Sequence, residues 1–128
     1  MKLLVLSDLH LECGGFDVLD LGQDILVLAG DLCNSGVRSV HWAAMPEIHH
    51  GKPVLFVPGN HEYYNESMIY TVPGMEEAAI DTPVQVLNRK ALVIDGVRFL
   101  GCTLWTDFKL GIGADQRIDV EKGMTEAY

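Results

Sequence analysis

Positive charge is scarce in this chain. Nine Lys and Arg stand against eighteen Asp and Glu, for a net charge of −9. Nucleic acid is held through clustered basic side chains, so stable nucleic-acid binding by the surface alone is not expected. Bound divalent cations would reverse the local sign of a site, so the net charge excludes a groove binder and leaves a metal-dependent enzyme open. Cysteine is also sparse: Cys13, Cys33 and Cys102 are odd in number and form no CxxC pair. That excludes a disulfide framework and fits a reducing compartment. Long apolar runs are missing, and none approaches the roughly 18 residues of a membrane helix. The opening "MKLLVL" meets Ser7 and Asp8 at once and is too short for a signal-peptide core. A cytoplasmic location without membrane attachment is the expectation.

What is present is an ordinary globular composition, 48% apolar and 21% charged over 128 residues, which predicts one domain spanning residues 1–128. Three short apolar runs stand out: Leu3–Leu6, Ile25–Leu28 and Val54–Val57. They do not alternate with polar residues, as expected of parallel strands buried on both faces. Between the second and third, Val37, Val40, Ala44 and Ile48 fall at helical spacing. Ser35 is placed to cap this helix and Gly51 to end it, with Pro46 kinking or splitting it. Gly14–Gln23 reads as a connection with at most a short, irregular helix.

Further on, Tyr63–Ile80 reads as helix broken at Pro73-Gly74. Then "VQVLN", "ALVID" and "VRFLGCTLW" read as short strands, with Asp95-Gly96 making a hairpin turn. The expected fold is α/β, a βαβαβ parallel sheet continuing into an antiparallel meander.

Each apolar run ends in polar residues, at the strand ends where α/β sheets build their sites. The first run leads to Asp8 and His10, which would face one side in extended chain. The second leads to Gly30-Asp31, and the third to Gly59-Asn60-His61-Glu62. Each glycine permits a sharp turn over the strand ends. Two carboxylates, two imidazoles and an amide oxygen suit Mn, Fe, Zn or similar ions. No Lys or Arg lies in the three motifs to offset converging carboxylates, so a cation is the simplest compensation.

"SDLH", "AGDL" and "PGNHE", in this order and at strand ends, resemble the D-x-H, G-D and G-N-H-[DE] blocks of the calcineurin-like metallophosphoesterases. The likeness runs from Met1 to about Leu104. It implies the first half of that family's four-layer αββα sandwich and a hydrolase of small phosphomonoesters or phosphodiesters with two divalent metal ions. On the matched positions, Asp8 and His10 would bind one metal, Asp31 would bridge both, and Asn60 would bind the second. His61 would act on phosphate or protonate the leaving group, and Glu62 would steady the loop.

The sequence departs from the family pattern after that point. A full member adds a further histidine and a G-H-x-H block, whereas the five histidines here (His10, His41, His49, His50, His61) end at position 61. The expectation is a domain incomplete at its C-terminus, with an unpaired sheet edge that favours self-association. The alternative is a catalytically impaired relative serving as a metal-binding or scaffold module.

Other residues carry blander readings. His41 and Trp42 are expected to pack, as are Tyr63 and Tyr64, for which the border of a substrate pocket is the alternative, and His49 and His50 are expected to serve a helix C-terminus. Cys33 reads as a small buried residue. Asp107 is a possible neighbour of the site, and Asp115, Asp119, Glu121 and Glu126 read as solvated.

Overall fold

A computed structural model describes residues 1–106; Asp107, Asp115, Asp119, Glu121 and Glu126 lie outside the described residues. Three strands form where the apolar runs stand, β1 at Leu3–Leu6, β2 at Ile25–Leu28 and β3 at Val54–Phe56. β4 follows at Val84–Val86, β5 at Lys90–Ile94 and β6 at Val97–Gly101. Helix α1 spans Gly36–Ala43, α2 Pro46–His49 and α3 Met68–Ala78, with one 3₁₀ turn at His61–Tyr63.

The first four strands form one parallel sheet in the order β1-β2-β3-β4. Space and sequence run in the same order, so every crossover steps the same way. Right-handed crossovers then place all three helices on one face. On that face Leu26, Leu28, Val54, Phe56, Val84 and Val86 pack against Val40, Ala43, Ile48 and Met75. The alternate residues Ile25 and Leu55 meet Leu92, Ile94 and Phe99 of the β5–β6 hairpin on the other face. This two-sided burial is why β2 and β3 read as unbroken apolar runs. β1 is an edge strand, and its outer-face residues Leu3 and Val5 are 45% and 57% exposed.

Three details differ from the sequence reading. "VQVLN" does not open an antiparallel meander: β4 joins the parallel sheet beside β3, and among the described residues the antiparallel part is the β5–β6 hairpin alone. A three-residue strand with inward Val84 and Val86 and outward Gln85 satisfies either pairing, and the preceding helix decides it. Pro73 does not break α3, which runs through it with Thr71 and Met75 buried. The proline removes one intrahelical bond, and packing on α1 holds the helix together across it. His41 is exposed rather than packed, while Trp42 leans on the core.

The remaining punctuation follows local chemistry. Pro46 ends the first helix and begins α2, and His50 closes α2 in the left-handed conformation at φ 49° before Gly51 at φ 74°. The His50 ring bonds the Val18 carbonyl at 2.8 Å, tying the β1–β2 connection to the helix layer. Gly14–Gln23 forms no helix. Asp95 and Gly96, at φ 48° and 78°, make the tight hairpin turn. No described helix is long and apolar enough to cross a membrane.

Phe56 lies at the centre of this core with no exposed surface. Phe56→Ala should cost about 3–5 kcal/mol, read as an earlier midpoint in urea. Val93→Ala on the exposed side of the hairpin should stay within about 0.5 kcal/mol of the parent.

Candidate metal centre

Beyond β1 and β2 the chain leaves the extended conformation but keeps a ladder. The Asp8 N–H donates to the Gly30 carbonyl at 3.0 Å, that of His10 to the Asp31 carbonyl at 3.1 Å, and that of Leu11 to the Leu32 carbonyl at 2.7 Å. Asp8, His10 and Asp31 all hold positive φ, at 55°, 45° and 54°. Asp and His tolerate this region better than most residues, yet each costs on the order of 1 kcal/mol. The extended alternation expected for Asp8 and His10 therefore does not apply. The left-handed turns aim the two side chains instead.

The two glycine turns meet back to back. Gly30 has φ 92°, and a Cβ there would lie 2.7 Å from the Gly59 nitrogen. A Cβ on Gly59 would fall on the Asp31 carboxylate. Gly30 thus serves both a turn and a close approach, whereas Gly59 serves the approach alone.

Glu62 fastens this contact from within. Its side chain has no exposed surface. One carboxylate oxygen accepts from the N–H groups of Leu32 at 2.8 Å and Cys33 at 3.3 Å and from the Ser39 hydroxyl at 3.0 Å. The other accepts from the N–H groups of Asp31 at 3.0 Å and Gly59 at 2.7 Å. Every partner is a donor, so a buried negative charge is solvated by protein dipoles. Asp31 returns the contact, its Oδ1 accepting the His61 N–H at 3.0 Å. The loop-steadying role expected of Glu62 is what these bonds perform.

Donor atoms of His10, Asp31 and His61, all half-buried, lie within 4.8 Å of one another. That span only slightly exceeds the roughly 4.2 Å between opposite donors on one ion at ~2.1 Å. Two imidazoles and a carboxylate suit Zn, Mn or Fe. No described Lys or Arg forms an ion pair with Asp8 or Asp31. The trio fits a metal ion by donor type and by spacing.

Asp8 is exposed and stands outside this trio. Asn60, next to His61 in sequence, is also exposed; its amide nitrogen donates to the Tyr64 hydroxyl at 3.2 Å, and its oxygen has no hydrogen bond among the described residues. His61, matched to a phosphate-facing role, is brought into the donor trio itself. Its ring meets that of His10 edge-on at 4.6 Å.

One residue at the site, Glu12, escaped the sequence reading. Tyr64, for which packing was preferred over a place at the pocket border, is 43% exposed and stacks on the His61 ring at 4.4 Å. Glu12 accepts from or faces both imidazoles, 3.1 Å from His10 Nδ1 and 3.7 Å from His61 Nδ1. Its own backbone N–H, then the His10 side chain and the charges of both rings, hold its carboxyl below the usual range against some desolvation. The signal for Glu12 was its place two residues beyond His10, in "DLHLE". Cys33 is buried, bonding the Ser35 carbonyl and the Ser39 hydroxyl; Cys13 and Cys102 are exposed, and all three are free.

A family model described as calcineurin-like phosphoesterase matches residues 1–93 of the 128. The chain belongs to this family. The match takes in every residue of the donor trio, Glu62, and the parallel sheet that positions them. None of the curated proteins matches the chain. Membership places the chain in the phosphoesterase class, and the His10, Asp31 and His61 group at its strand ends could hold a metal ion.

Glu62→Gln should keep the shape of the latch but point an amide N–H₂ at backbone donors. Two orphaned donors at about 1–3 kcal/mol each should lower stability by a few kcal/mol in chemical denaturation. Glu66→Gln, whose exposed carboxylate meets only the Ser35 hydroxyl among the described residues, should change little.

Proposed function

We propose that this chain is a metal-dependent hydrolase of small phosphomonoesters or phosphodiesters, holding two divalent ions at the carboxyl ends of β1, β2 and β3. The observation that carries the reading is the convergence of His10, Asp31 and His61 within 4.8 Å in a chain of the phosphoesterase family. Asp8, His10 and Asp31 would hold one ion, and Asp31 and Asn60 the second. The ions would supply an acidified water and neutralise phosphate oxygens.

The chain's own groups do the rest. His61 is held by its N–H to Asp31 and by its ring against Tyr64. An imidazole suits proton donation to a leaving alkoxide. The Asn60 amide nitrogen bonds Tyr64, and its oxygen is the neutral donor for a metal ion. Mn, Fe and Zn all accept this donor set.

The open edge of β1, with Leu3 and Val5 exposed, supports self-association as the state in which the chain works. Light scattering across a dilution series should show mass rising with concentration, and Val5→Lys should suppress the rise. A constant monomer mass at high concentration counts against association.

The catalytic reading is tested with purified chain, manganese and an activated aryl phosphodiester or monoester. Turnover should appear with metal and vanish with chelator. Asp31→Ala should abolish it, and His61→Ala should lower it by about 100- to 10,000-fold. Stoichiometric metal binding without turnover would instead assign the chain to the non-catalytic metal-binding class.

A further inference from the structure

One carboxylate faces both imidazoles of the donor trio. Glu12 Oε1 lies 3.1 Å from Nδ1 of His10 and 3.7 Å from Nδ1 of His61. The His61 Nδ1 is itself buried and has no hydrogen-bond partner among the described residues, the Glu12 oxygen lying at ion-pair distance. The two rings touch edge to face at 4.6 Å, so one carboxylate can serve both without crowding either. Its position is fixed by the chain that follows His10: the Cys13 N–H bonds the His10 carbonyl at 2.7 Å, curling Glu12 back toward the ring two residues before it.

We propose that Glu12 is a positioning residue for the metal centre, holding the Nδ1 proton of His10 and of His61 so that each ring turns its Nε2 to the site, as a metal ligand in His10 and as the substrate-facing atom in His61. The inference rests on the metal-dependent reading of the trio. A neutral imidazole carries one N–H, and an acceptor at Nδ1 draws it there. The lone pair then lies on the opposite nitrogen, and the hydrogen bond both fixes ring rotation and raises ligand basicity. A single carboxylate makes the two orientations interdependent: shortening the 3.7 Å contact to His61 as a ligand arrives leaves the bond to His10 in place on the same oxygen.

The first test needs no metal and no substrate. In ¹⁵N-labelled metal-free protein near pH 8.5, about two units above an ordinary histidine pKa, long-range imidazole spectra report the tautomer of each ring. His10 and His61, assigned through His10→Asn and His61→Asn, should show the Nδ1–H form in the parent. In Glu12→Ala both should shift toward the Nε2–H form that free imidazole prefers. Glu12→Gln retains one acceptor oxygen and should restore the Nδ1–H form at His10. The second test is calorimetric titration with manganese, where Glu12→Ala should weaken binding about 10- to 100-fold and Glu12→Gln should recover part of it.

Unchanged tautomers in Glu12→Ala overturn the proposal. So does unchanged manganese affinity in Glu12→Ala when the parent binds. A parent that binds no manganese refutes the metal-dependent reading instead, and the tautomer spectra still decide the role of Glu12. Because Glu12 sits at the surface, its variants keep the core intact, and the His49 and His50 signals serve as internal controls.

Discussion

The buried carboxylate of Glu62 is the constraint on which the architecture of the site depends. It joins the loop after β2, the loop after β3 and the first helix at a point with no access to water. A charge in that position is tolerable only while its donors remain aimed at it. Four of those donors are backbone N–H groups, so the carboxylate dictates main-chain paths, not merely side-chain positions. Asp31 and His61 inherit their places from those paths. The donor trio is thus a consequence of a latch lying beneath it.

Strain and close approach complete the arrangement. Three left-handed residues and two touching glycines are unfavourable in isolation. They persist because the ladder from Asp8, His10 and Leu11 to the second loop, together with the Glu62 latch, leaves the backbone no looser alternative. Such local cost concentrated at strand ends is characteristic of functional sites, where orientation outweighs stability.

Much of this was legible in the sequence. The parallel core was visible because strands covered on both faces cannot alternate, as Ile25–Leu28 and Val54–Phe56 show. Asp31, His61 and Glu62 were visible because polar residues after such runs have few other reasons to be there. The pairing of β4 was hidden, since three residues with two inward valines fit either direction. Pro73 misled because the packing of Thr71 and Met75 outweighs one lost backbone bond. Glu12 was hidden, and packing was preferred for Tyr64, for a different reason: their importance is a matter of which ring they face, and that is settled by turns with no period to detect. The positive φ at Asp8 and His10 likewise replaced the alternation that an extended chain would have imposed.

The agreement between strand order and chain order has a further meaning for biogenesis. A sheet that grows at one margin never requires a late strand to be threaded between earlier ones. During synthesis each new strand docks on the one just completed, and all the candidate ligands have left the ribosome by the time the fourth strand emerges. Vectorial accretion of this kind lets a nascent chain assemble its candidate metal pocket while the remainder is still being translated.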